Sequence, residues 1–132
     1  MQDDLTDATH WAIEQKVTTA DRICIFGGSY GGYAALMGAA REPGLYRCAI
    51  GYAGVYDLEL MHSSGDIPDS RSGRAYLELV LGDDVTQLRS RSPVHLAAAI
   101  RTPVLLIHGT ADWRVDLEHA KRMKKALEQH GK

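Results

Sequence analysis

Residues 22–40 constrain this chain more than any other stretch. A short apolar run, Arg22-Ile23-Cys24-Ile25-Phe26, passes directly into Gly27-Gly28-Ser29-Tyr30-Gly31-Gly32 and then into the small, apolar stretch Tyr33 to Ala40. The first run reads as a buried strand and the last as a helix, ended by Pro43-Gly44. A strand that feeds a helix through so few residues must turn sharply. The pattern G-x-S-x-G at such a turn holds the serine in a strained backbone conformation and lifts its hydroxyl above the sheet. Glycines at the flanking positions remove the Cβ atoms that would collide with the neighbouring backbone. The first amides of the helix point at the same spot, so Ser29 is the candidate nucleophile and the Tyr30 N–H a candidate oxyanion donor. The plainer alternative is a glycine-rich turn that merely joins strand to helix. A phosphate-binding loop does not fit, because neither G-x-x-x-x-G-K-[ST] nor G-x-G-x-x-G spacing is present.

Two further apolar runs, Arg47 to Ala53 and Val104 to His108, read as buried strands. Helices are expected over Asp3 to Gln15, Ala75 to Leu81, His95 to Ile100 and from about Val115 to His130. Apolar strands alternating with helices predict an α/β fold, a parallel sheet of about three strands with flanking helices on both faces. One domain is expected over 1–132, with a more polar excursion at about 58–92 lying over the carboxyl ends of the strands, where ligands bind in such sheets.

A serine hydroxyl needs a base, and the base needs an orienting acid. In hydrolases built on such an elbow the chain order is serine, acid, histidine, with the acid after a later strand. Asp112 follows Val104 to His108 through Gly109-Thr110-Ala111 and is the candidate acid. Asp116 is better placed to cap the last helix. The chain has six histidines, at 10, 62, 95, 108, 119 and 130, and none follows a fourth strand. The residues beyond Asp112 are consumed by a helix and leave no room for another loop and strand. His62, in the excursion, and His130, at a helix end, are the weak alternatives for a base. His108 and Asp112 share a neighbourhood, but no third ligand is suggested, and no metal or cofactor is expected.

Formal net charge is −2 with both signs mixed, which gives no electrostatic case for nucleic acid. No apolar stretch approaches a membrane span, and the acidic start lacks the layout of a signal peptide, so a cytoplasmic location is the expectation. Cys24 and Cys48 lie in strand-like runs without Cys-x-x-Cys spacing and read as buried free thiols.

Gly27-Gly28-Ser29-Tyr30-Gly31-Gly32-Tyr33 resembles the nucleophile signature of the prolyl oligopeptidase family, especially its acylaminoacyl-peptidase and dipeptidyl-peptidase branches. Ser92-Pro93, then Thr102-Pro103-Val104-Leu105-Leu106-Ile107-His108-Gly109, then Asp112 and Val115, is similar to the family's segment around the acid. The resemblance implies a partial α/β-hydrolase fold, Ser29 as nucleophile, Asp112 as acid and the Tyr30 amide as oxyanion donor. It also implies a histidine well beyond Lys132 and strands ahead of the first helix. One departure is Asp116, where the family often has proline.

These readings predict a serine hydrolase acting on a peptide or an ester by acyl transfer, on part of a larger domain. The alternatives are an inactive, self-associating remnant and a carboxylesterase. A three-stranded parallel sheet with two bare edges is a pairing hazard, so a homo-oligomer joined through those edges is expected.

Overall fold

In the computed structural model, which describes residues 1–132, the three apolar runs pair as parallel strands in the order β1 (Cys24–Gly28), β2 (Cys48–Tyr52) and β3 (Val104–Ile107). The register sets Phe26 beside Ile50 and Ile50 beside Leu105, with Gly28 beside Tyr52 and Tyr52 beside Ile107. β1 and β3 are therefore both edges. The carboxyl ends of all three strands lie together, and it is from these ends that the site is built.

Six α-helices accompany the sheet: α1 (Gln2–Glu14), α2 (Tyr30–Arg41), α3 (Leu58–Met61), α4 (Arg71–Leu81), α5 (Val85–Ser90) and α6 (Glu118–Gln129). A 3-10 turn spans Pro93–Ala99. The small residues of α2 let it lie close on β1 and β2. Leu36 and Ala39 of α2 meet Ala49 of β2, Ile100 after the 3-10 turn, and Met123 and Leu127 of α6 in the main core. Leu36, Ile100 and Met123 are fully buried, and each such side chain contributes about 2 kcal/mol. A smaller cluster of Val55, Leu58 and Leu88 seats the excursion. Short polar residues start its helices. Asp57 accepts from the Glu59 and Leu60 N–H groups, Ser70 from Gly73, and Asp84 from Thr86 and Gln87, each satisfying amides that a helix start leaves free.

Two expectations are corrected here. The sheet is covered on one face only. Ile25, Ala49, Val104 and Leu106 turn towards α2, the 3-10 turn and α6, whereas Phe26 (66% exposed), Tyr52 (51%), Leu105 (52%) and Ile107 (42%) stand open on the other face. Both faces are apolar, as in a sheet buried on both sides, but the helices of this chain supply a single layer. Cys24 and Cys48 are not buried free thiols. They are register partners on that same open face, with Cα atoms 4.6 Å apart, and are joined by a disulfide. Cys24 is exposed and Cys48 half-buried. No helix is long and apolar enough to cross a membrane.

Candidate active site

β1 runs through both glycines to Gly28, and α2 begins at Tyr30. The turn between them is a single residue, Ser29, at φ 53° and ψ −121°. A non-glycine residue with positive φ is strained by about 1–3 kcal/mol and persists only where its surroundings enforce it. The enforcement is visible on both sides of Ser29. Its N–H donates to Tyr52 O at the end of β2 (2.9 Å), and its carbonyl accepts from Gly32 N–H (2.9 Å). Gly27 is packed against the backbone of Gly31, where an added Cβ would lie 2.1 Å from the carbonyl oxygen. Gly32 lies against Gly54, leaving an added Cβ only 2.8 Å from its Cα. The serine is exposed at the head of the sheet. As first residue of α2, Tyr30 has an amide with no acceptor inside the helix.

Asp112 sits in the loop after β3. Its Oδ1 accepts from the N–H groups of Arg114 and Val115, both at 3.0 Å. The Val115 N–H, opposed by partial burial and assisted by the Arg114 N–H, holds the carboxyl below the usual carboxylate range. It is therefore a carboxylate at neutral pH, the state an orienting acid requires. Behind it, the nearly buried His108 ring directs Nε2 to Val115 O at 2.8 Å and lies 3.6 Å from Asp112 Oδ2. Since a carbonyl only accepts, Nε2 carries the proton, and His108 ties the two ends of the acid loop together.

Ser29 and Asp112 line one cavity of about 750 Å³ at the carboxyl ends of the strands. Its other walls are largely apolar. Tyr33, Val55, Leu58, Met61, Tyr76 and Leu77 contribute, most of them from the segment that follows β2 and from the excursion. The second large hollow, about 740 Å³ along the β3 edge, contains neither Ser29 nor Asp112.

His119 is the single histidine among the lining residues, and reading the sequence gave it no role. It is 1% exposed, and its Nδ1 accepts the N–H groups of Tyr56 (3.2 Å) and Asp57 (3.3 Å). With Nδ1 occupied as an acceptor, the neutral ring carries its proton on Nε2. That ring has no lone pair left to take a proton from Ser29, so it is not built as a general base. Burial pushes its pKa down to about 4, with His108 and Arg122 adding to the effect and Asp57 and Asp116 opposing it. His62 and His130 lie outside the cavity lining; His62 caps α3 and His130 caps α6.

One trio has metal-ligand geometry. Atoms of Asp57, Glu59 and His95 lie within 4.8 Å of one another. Both carboxylates are already engaged, Asp57 by Arg122 at 2.8 Å and Glu59 by Arg89 at 2.9 Å, so the trio reads as part of an ion-pair cluster. Burial pushes the Asp57 carboxyl up, but the Arg122 hydrogen bond and the Leu60 N–H outweigh it and leave the group below its ordinary range.

The pattern of the prolyl oligopeptidase family matches residues 1–132. Dipeptidyl aminopeptidase BIII of Pseudoxanthomonas mexicana is 37% identical over 97% of this chain and 19% of its own length. Acylamino-acid-releasing enzyme 1 of Oryza sativa subsp. japonica is 26% identical over 97% of this chain and 18% of its own. Among solved structures, a puromycin-hydrolyzing peptidase of Mycobacterium tuberculosis superposes with a TM-score of 0.86 at 25% identity, covering 98% of this chain and 19% of that one. The acylaminoacyl peptidase of Pyrococcus horikoshii superposes with a TM-score of 0.82 at 26% identity, covering 98% and 21%. The chain thus spans about a fifth of the length of these relatives, and its sheet and helices are those of the α/β-hydrolase fold. From the strained serine at the strand–helix junction to the match along its whole length, this chain belongs to the prolyl oligopeptidase family of serine peptidases.

Proposed function

We propose that this chain is the nucleophile- and acid-bearing part of a serine peptidase that works by acyl transfer. In this reading Ser29 attacks the carbonyl carbon and the Tyr30 N–H holds the oxyanion. A histidine from outside these residues, oriented by Asp112, moves the proton, and water releases the acyl group. The observation that carries the reading is the positive-φ serine opening onto the cavity that Asp112 also lines. The apolar walls suit an uncharged, bulky side chain on the acyl portion of the substrate. A peptide is favoured over an ester by the family alone, since the fold hosts both chemistries.

The test is covalent labelling with a fluorophosphonate probe. Without the base, turnover in a serine protease falls on the order of 10⁶, so reaction of the isolated chain is expected to be slow but dependent on Ser29, and absent in Ser29→Ala. Labelling that survives Ser29→Ala overturns the assignment. A folded chain that never labels favours the alternative, an inactive remnant.

A specific observation keeps that second reading in view. The bare sheet face and the two open edges offer apolar surface and unpaired strand groups together. We propose self-association through them. Light scattering is expected to report a mass above the monomer at high concentration, and the paired substitution Phe26→Lys and Leu105→Lys to reduce it. A clean monomer at high concentration sinks this.

The cytoplasmic location expected from the sequence stays a proposal. The Cys24–Cys48 disulfide weighs against it, because such bonds persist mainly in oxidising compartments.

A further inference from the structure

The second residue of α6 reaches across the molecule to the segment that leaves β2. His119 Nδ1 takes the N–H groups of Tyr56 and Asp57, from residues 63 and 62 positions earlier in the chain. Three residues further along the same face of α6, Arg122 Nη1 donates to Asp57 Oδ2 at 2.8 Å. The helix thus grips one short stretch of backbone at two points. That stretch leads from Val55 into α3, and Val55, Leu58 and Met61 form one wall of the cavity beside Ser29.

The start of α6 is bound in turn to the acid loop. Asp116, four residues after Asp112, accepts the Glu118 N–H at 2.8 Å and the Ser64 hydroxyl at 2.6 Å. Ser64 also lines the cavity. The acid loop, the head of α6 and the apolar wall therefore form one connected piece. The nucleophile turn joins β1 to α2 and touches this piece only where the chain leaves β2, through the Ser29 N–H on Tyr52 O and Gly32 against Gly54.

We propose that His119 is a positioning residue. Its neutral imidazole, accepting two main-chain N–H groups, fixes the apolar wall of the cavity relative to the loop that carries Asp112. The role needs an acceptor, which an imidazolium lacks. It also needs burial, because two unpaired amides in a dry interior are costly and drive the segment to rearrange. Glutamine, with a carbonyl oxygen at similar reach, can substitute, and leucine cannot. The consequence is on acyl-group binding, not on the reactivity of Ser29. This inference rests on reading the cavity as the acyl-binding site.

The experiment uses the intact chain as wild type, His119→Gln and His119→Leu, with N-acetyl-phenylalaninamide as a non-reacting probe followed by NMR. His119→Gln is expected to bind it within about twofold of wild type, and His119→Leu about tenfold more weakly. In the wild type, the imidazole ¹⁵N shifts are expected to report the tautomer protonated at Nε2. In His119→Leu the amide protons of Tyr56 and Asp57 are expected to move, and in His119→Gln to stay. Wild-type binding by His119→Leu, loss in His119→Gln as large as in His119→Leu, or a tautomer protonated at Nδ1 overturns the proposal. If His119→Leu does not fold, the tautomer and the glutamine variant decide. A probe that perturbs no cavity residue of the wild type defeats the reading of the cavity instead, and the tautomer and the two amide signals still judge His119.

Discussion

Gly27→Ala is expected to abolish the folded state, or to leave a chain at least ~3 kcal/mol less stable with no Ser29 labelling, whereas Gly31→Ala, four residues on in the same motif, is expected to fold. The contrast comes from the backbone, not from the motif. A Cβ on Gly27 would lie 2.1 Å from the Gly31 oxygen, 2.2 Å from its carbonyl carbon and 2.8 Å from its Cα. All three are main-chain atoms of the first turn of α2, so no side chain can swing aside. Relief requires moving α2 off β1, and α2 carries Leu36 and Ala39 into the core. It also requires releasing the positive φ of Ser29, which depends on the same contacts. A Cβ on Gly31 meets nothing within 4 Å. Urea denaturation of the two variants, with labelling of whichever folds, measures the difference. Equal stability of the two would mean that the close approach of strand to helix is not what holds the serine in place.

The same comparison shows how much of the site a linear sequence exposes. The order strand, glycine, serine, glycine, helix is local, and the elbow at Ser29 could be located from it. The apolar runs around Ala49 and Leu105 gave the other strands, and the rule that sites gather at the carboxyl ends of a parallel sheet brought Asp112 to the same rim as Ser29. What stayed hidden depends on contacts between distant residues. The Cys24–Cys48 bond requires knowing that the two residues are register partners; along the chain, both simply occupy apolar runs. Phe26, Ile50 and Leu105 say that a face is apolar, but an apolar pattern cannot say which segment covers it. The short helices α3 and α5 carry too little periodicity to detect, although Asp57 and Asp84 are ordinary capping residues. His119 is the least legible of all. It lies beside the stripe of Ala120, Met123 and Leu127 and reads there as an incidental polar residue, because its partners come from the far side of the excursion.

Burial of His119 has a measurable consequence in acid. The chain is expected to lose on the order of 3 kcal/mol of stability as pH falls from about 6.5 to about 4, through His119 alone. An unfolded histidine titrates near 6.5, and in the folded chain burial lowers His119 to about 4. Above that window both states are neutral and His119 imposes no pH dependence. Inside it the unfolded chain binds a proton that the folded chain refuses, so stability drops by about 1.4 kcal/mol for each pH unit. Below it both states are protonated, and the loss levels off. Asp57, Asp112 and Asp116 act in the same direction but lower down. Their folded carboxyls are held below the ordinary value, so the stability they add is present above the usual carboxylate range and is lost only as pH falls through their depressed values. The two effects thus separate along the pH axis, and His119→Gln isolates the upper one. Urea midpoints for the wild type should fall steeply between about pH 6.5 and about pH 4.5, while those of His119→Gln should stay nearly level there. Parallel curves for the two proteins would show that the folded chain takes up the His119 proton as readily as the unfolded one, and that the segment leaving β2 is held by something other than Nδ1.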